Sequence, residues 1–183
     1  MRILPMAYCY QTVDLPTLIH RVHQVSCITH AHPRSQMACG IYTCIAIALL
    51  QGANPRDAYV KGLDQAEEVY QAFPYLLEKH HFERIFNRDI DHLPIESINS
   101  EGYVIDTLEA ALWCLLTTSS YPEAVLKAVN LGEDTDTTAA VTGGLAGIHY
   151  GIENIPSNWI NGIARSQDIQ KLADRLETSL LQS

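Results

Sequence analysis

The sequence has no Cys-x-x-Cys pair, no apolar run near the ~20 residues of a membrane span, and little positive charge. Each absence excludes something. Lys and Arg total 12 against 21 Asp and Glu, for a net charge of -9. No basic patch stands out, so the sequence predicts no nucleic-acid partner. The five cysteines, Cys9, Cys27, Cys39, Cys44 and Cys114, are odd in number and mostly lie within apolar runs. They predict buried, reduced thiols rather than a disulfide framework or a zinc site. The opening residues lack a long apolar segment and a small-residue cleavage site, so no secretory leader is read there. A cytoplasmic protein with no membrane partner is the resulting expectation. Strand-like Val/Ile/Thr alternation, internal repeats and low-complexity linkers are missing as well.

What is present is helical. Hydrophobic residues make up 47% and charged residues 18% of 183 residues, a globular balance that predicts one domain over 1–183. Asp14 and Pro16 open a helix with Leu15, Leu18, Ile19, Val22 and Val25 on one face. His20 and His23 fall on it three apart, a spacing read as a solvated face or, less economically, as a metal pair. The break Thr29-His30-Ala31-His32-Pro33 leads into a helix from Gln36 to Leu50 that is apolar nearly all round and ends at Gly52. His30 and His32 admit two readings: a two-His site, or a histidine that holds the loop through a backbone bond. Asn54 caps a further helix, with Ala58, Tyr59, Leu63, Ala66, Val69 and Tyr70 inside.

Tyr75 to Asn99 is less regular, and its Asp89-x-Asp91 pair reads as part of a solvated loop. Ser100 to Tyr103 is a turn, after which Asp106-Thr107 is expected to cap a helix through Leu116 that ends near Thr117 to Ser120. Pro122 starts another helix, to Asn130. Pro156 and Trp159 begin a short element, and Asp168 is expected to cap a last amphipathic helix through Leu172, Leu176 and Leu180. The apolar residues of Met1 to Tyr10 read as an interior segment that other material once preceded.

The most informative stretch is Gly132 to Thr138, which runs into an uncharged helix expected from about Thr138 to Tyr150 and stopped by Gly151. Gly143, Gly144 and Gly147 inside that helix cost about 3 kcal/mol together relative to alanine. Close packing against neighbouring helices along Ala139, Gly143 and Gly147 is the expected compensation. Asp134 and Asp136, followed by Thr137, can converge on one hard cation if they lie in the turn before the helix. The alternative is an ordinary N-cap, which needs only one such residue. An EF-hand is excluded, because its loop requires further oxygen residues and a distal Glu.

Three stretches together resemble the ADP-ribosylglycohydrolase family: Asn130-Leu131-Gly132-Glu133-Asp134-Thr135-Asp136-Thr137-Thr138 with its glycine-rich helix, Gly102-Tyr103-Val104-Ile105-Asp106-Thr107-Leu108-Glu109-Ala110-Ala111-Leu112-Trp113, and Thr29-His30-Ala31-His32-Pro33. The resemblance implies a compact, multi-helix all-α fold with a binuclear magnesium centre, manganese being the alternative ion, at the base of a cleft for ADP-ribose. It implies Asp134, Asp136 and Thr137 as metal ligands. His30, Gly102 and Tyr103 are implied as ligand contacts. The implied activity is hydrolysis of the bond between ADP-ribose and a protein or small-molecule acceptor. Family members carry upstream of these stretches an acidic Asp-Asp-Thr segment and the catalytic acid. The resemblance therefore covers the C-terminal part of the family domain and implies N-terminal truncation, with weak hydrolysis by this chain alone or a binding role only. Self-association through an apolar surface left exposed is a further expectation.

Overall fold

The computed structural model describes residues 2–182, so Met1 and its share of the apolar opening, together with Ser183, lie outside the described residues. Among the described residues every regular element is helical, as the sequence predicts. Ten α-helices follow in order: α1 (Leu15–Cys27), α2 (Pro33–Leu50), α3 (Pro55–Val69), α4 (Tyr75–Glu78), α5 (Glu83–Phe86), α6 (Val104–Leu116), α7 (Tyr121–Val129), α8 (Thr135–Tyr150), α9 (Ser157–Gly162) and α10 (Ser166–Leu181). A 3-10 helix, Leu4–Gln11, precedes α1, and shorter ones fill the irregular stretch between α4 and α6.

Local chemistry sets the starts of the first three helices. Asp14 Oδ1 accepts from Thr17 N at 2.8 Å, His32 Nδ1 from Arg34 N at 3.2 Å, and Asn54 Oδ1 from Asp57 N at 2.9 Å. A proline stands in the first turn of each, where no intrahelical N–H is needed.

α2 is the central element. It is buried from Met37 to Leu49 apart from the half-buried Cys39, and α1, α3, α6, α8 and the Leu4–Gln11 helix all pack on it. Its lack of a polar stripe is the mark of a helix surrounded by others. α3 comes close to it at Gly62, where an added Cβ would stand 2.7 Å from both the backbone N and the Cα of Ile45.

Several expectations are corrected. α8 begins at Thr135 rather than Thr138, so Asp136 and Thr137 lie in its first turn, where a carboxylate opposes the positive end of the helix dipole. α8 is also less buried than its composition suggests: Thr138, Thr142, Leu145 and Ala146 are buried, while Ala140 faces outward. Its glycines do permit close packing. Gly144 leaves room for the Tyr42 hydroxyl, and Gly143 and Gly147 face Tyr121 of α7.

Asp106 and Thr107 do not cap α6, which starts at Val104. Thr107 Oγ1 instead bonds back to the carbonyls of Tyr103 at 3.1 Å and Glu101 at 3.3 Å. Asp168 lies in the first turn of α10, after the left-handed residue Arg165. Cys44 and Cys114 are buried, but Cys27 is exposed and Cys9 and Cys39 are only half-buried. His23 is neither solvated nor a metal ligand; it is buried between Tyr70 and Tyr75. Asp91 is paired with Arg56 at 2.5 Å.

Candidate functional site

Four helices border one open cavity of about 320 Å³, α1 through Val25 and Ser26. α2 presents Ser35, Ala38, Cys39 and Tyr42; α6 presents Val104, Thr107 and Leu108; Asp134, Thr137 and Val141 come from α8 and its cap. Spacings of three, four and seven residues keep each set on one side of its helix. Thr29 and His30 line the cavity from the α1–α2 break, and Gly102 lines it from the turn before α6.

His30, Gly102, Asp134 and Thr137 all line this one cavity. Asp136 and Tyr103 are not among the lining residues. One residue along α8 is a rotation of ~100°, which carries Asp136 away from the face that holds Thr137 and leaves it exposed. The Tyr103 hydroxyl accepts instead from Arg34 Nη1 at 3.3 Å, beside the cavity.

The backbone before Asp134 is unusual. Gly132 and Glu133 are both left-handed, with φ of 93° and 59°. For a non-glycine residue this costs about 1–2 kcal/mol. Compensation comes from Ser100: its carbonyl accepts from Asp134 N at 3.0 Å, and its buried hydroxyl donates to the Gly132 carbonyl at 2.8 Å. These bonds fasten the 132–134 turn to the turn that precedes α6.

Asp134 occupies the N-cap position of α8, yet its side chain accepts no capping bond. Its Oδ2 lies instead against Gly102, where an added Cβ would be 2.9 Å away. The hydroxyl of Thr138, in the next turn, is buried without a hydrogen-bond partner. The Asp134 carboxylate, left free of capping, and the Thr137 hydroxyl on the same face are oxygen donors, the kind Mg²⁺ takes, while the Asp136 carboxylate is turned away from them. Among the described residues no three His, Cys, Asp or Glu side chains come together in a metal-binding group. The donors present fit part of a six-oxygen shell.

Other groups on the cavity are held neutral. Burial pushes the Cys39 thiol and the Tyr42 hydroxyl up from their ordinary values, and Tyr42 donates to the Val141 carbonyl at 3.1 Å. Arg34 is fixed by Glu78, with Nε to Oε2 at 2.5 Å. That hydrogen bond raises the Arg34 pKa and lowers that of Glu78.

Sequence reasoning missed the lining contribution of α2. A helix apolar all round does not reveal which face borders a cavity, although Ser35, two residues beyond the His-rich break, was the available signal. The tie between Arg34 and Tyr103 joins residues far apart in sequence and left no local trace.

Fold and site define an all-helical domain with a cavity of mixed polar and apolar lining at the head of a glycine-containing helix. The sequence pattern of the ADP-ribosylglycohydrolase family matches residues 1–182, and the chain belongs to that family. It is 34% identical over 154 residues to the ADP-ribosylarginine hydrolase Tri1 of Serratia proteamaculans, covering 82% of this chain and 38% of that protein. It is 28% identical over 151 residues to the ADP-ribosyl-[dinitrogen reductase] glycohydrolase of Rhodospirillum rubrum, covering 81% of this chain and 45% of that one. A solved ADP-ribosylglycohydrolase-related protein complex superposes with a TM-score of 0.76 at 27% identity, over 94% of this chain and 56% of the other. The chain therefore spans roughly half the length of the relatives it matches.

Proposed function

We propose that this chain binds ADP-ribose in the cavity between α2, α6 and α8 and contributes to Mg²⁺-dependent hydrolysis of the bond between ADP-ribose and its acceptor. The observation that carries this reading is the convergence of His30, Gly102, Asp134 and Thr137 on one cavity from three separate stretches of sequence. Family membership supports the reaction class. Relatives named for ADP-ribosylarginine and for ADP-ribosylated dinitrogen reductase make a protein-linked arginine the first acceptor to test.

Asp134 and Thr137, which share the cavity face, would hold the ion, with Mn²⁺ the alternative, and Asp136 would join them only by turning its exposed side chain inward. Bound there, the cation would polarise ribose oxygens and lower the pKa of an attacking water. His30, Gly102 and the α2 face would orient the ribose, and Tyr103, tied to Arg34, would flank the entrance. All five cysteines are free thiols, which is compatible with action in the reducing cytoplasm. Among the described residues no helix is long and apolar enough to cross a membrane.

A thermal melt with Mg²⁺ and ADP-ribose tests the site. Ligand at ~100 times its dissociation constant adds about 2.7 kcal/mol, which for a domain of this size raises Tm by about 5–10 °C. Asp134→Asn or a chelator removes the rise. A cooperative melt that ADP-ribose and Mg²⁺ leave unmoved overturns the proposal. The partial donor set favours one second reading, binding without turnover. Release of ADP-ribose from ADP-ribosylarginine by the binding-competent chain decides between the two.

A further inference from the structure

The His23 cluster lies outside the cavity, yet its hydrogen bonds lead to the cavity wall. Tyr75 Oη donates to Gln36 Oε1 at 2.7 Å, and Gln36 Nε2 donates to the Ala31 carbonyl at 2.7 Å. These two bonds fix the orientation of the Gln36 amide, since its oxygen accepts and its nitrogen donates. With its only proton directed at Gln36, Tyr75 Oη can meet His23 Nδ1, 2.9 Å away, only as an acceptor. His23 Nδ1 must then carry the proton.

The other ring nitrogen, Nε2, is left bare and accepts from the Tyr70 hydroxyl at 2.9 Å. Gly40 is what makes space for that hydroxyl, since an added Cβ would overlap it. The result is four hydrogen bonds running in one sense, Tyr70 to His23 to Tyr75 to Gln36 to the Ala31 carbonyl. They join the C-terminal end of α3 to the α1–α2 break. Ring packing supports the geometry, with the His23 ring stacked 5.7 Å from Tyr70 and tilted 4.9 Å from Tyr75 between centroids. From the α1 side the same break is held by Ser26, whose hydroxyl donates to the His30 carbonyl at 3.0 Å and whose carbonyl accepts from His30 N at 2.7 Å.

We propose that His23 is a positioning residue: locked as the neutral Nδ1–H tautomer, it relays hydrogen bonds through Tyr75 and Gln36 that set the Thr29–His32 loop and so place His30 on the cavity wall. The functional meaning of that placement rests on the ADP-ribose reading above, but the relay itself does not. The neutral state agrees with burial, which depresses the His23 pKa to about 4. A ring nitrogen whose proton is fixed by its partner is the usual way a protein selects a histidine tautomer.

The test is nitrogen-15 NMR of histidine-labelled, ligand-free chain at pH 7, joined to amide hydrogen exchange, in wild type and Tyr75→Phe. Wild type is expected to show His23 protonated at Nδ1 and bare at Nε2. Tyr75→Phe removes the Nδ1 acceptor, so the proton moves to Nε2 and faces Tyr70, whose hydroxyl turns to the Gln36 carbonyl at 3.5 Å. Loss of one neutral hydrogen bond from the relay speeds exchange at the His30 amide by roughly threefold to tenfold, with the Ile45 amide of the core unchanged. Gln36→Met, which removes both the acceptor of the Tyr75 proton and the donor to the Ala31 carbonyl, reproduces the faster His30 exchange. An Nε2–H tautomer in wild type overturns the proposal, and so does a flip in Tyr75→Phe without faster exchange. Faster exchange without a flip overturns it as well. Both readouts are taken without ligand, so failure of ADP-ribose to bind would remove the functional reading and leave this one to be decided separately.

Discussion

At Gly102 a missing side chain is what leaves room for the Asp134 carboxylate. An alanine there would bring a Cβ to 2.9 Å from Asp134 Oδ2, and the side chain, being short and free of capping bonds, would swing aside. Because a side-chain end and not backbone yields, Gly102→Ala is expected to lower Tm by less than ~2 °C while weakening Mg²⁺-supported ADP-ribose binding at least about tenfold, near 1.4 kcal/mol. Calorimetric titration beside a melt checks both halves, and unchanged affinity would remove Asp134 from the site.

His23 gives the second prediction at this scale. Its folded pKa, about 4, lies below the ordinary 6.5, so the unfolded chain takes up the proton first as pH falls. Stability supplied by the neutral ring is present above 6.5 and lost between 6.5 and 4, by about 2 kcal/mol from pH 7.5 to pH 5. In urea unfolding the gap between wild type and His23→Gln should narrow by that amount. A gap that widens at pH 5 contradicts the burial of a neutral ring.

Among elements, the crossing of α2 and α3 depends on Gly62. An added methyl would stand 2.5 Å from Ile45 Cγ1 and 2.7 Å from Ile45 N and Cα, and backbone in a buried helix cannot move aside as a side chain can. Overpacking costs typically about 1–3 kcal/mol, against a helix-propensity gain of about 1. The severity of a backbone contact places Gly62→Ala at about 2 kcal/mol net loss, or about 4–8 °C in Tm. Gly162, with nothing within 4 Å of its Cβ position, is the control. Scanning calorimetry of the two alanine variants should separate them, and equal melts would show that α3 does not approach α2 this closely. The helices themselves were legible from Pro at their starts and apolar spacing within. Their first residues were less so: the starts of α6 and α8 were read late because Asp and Thr in a first turn resemble caps.

For the whole molecule, α10 carries a formed amphipathic helix that buries no residue. Ile169 and Leu172 are 56% and 63% exposed, an apolar stripe suited to association with another surface. Leu172→Glu should change Tm by less than ~1 °C in scanning calorimetry, since little burial is lost. A large fall in Tm would mean that α10 packs onto the domain in solution. The amino-acid sequence by itself determined the helical class and most helix boundaries, because caps, prolines and helical periodicity act over a few residues. Tertiary structure alone decided that Asp134 and Thr137 share a cavity with His30 and Gly102 while Asp136 faces outward. It also decided which side of α2 lines that cavity, and that His23 is buried between two tyrosines. Those outcomes follow from how helices distant in the chain rotate and cross when they pack, and local patterning does not encode that geometry.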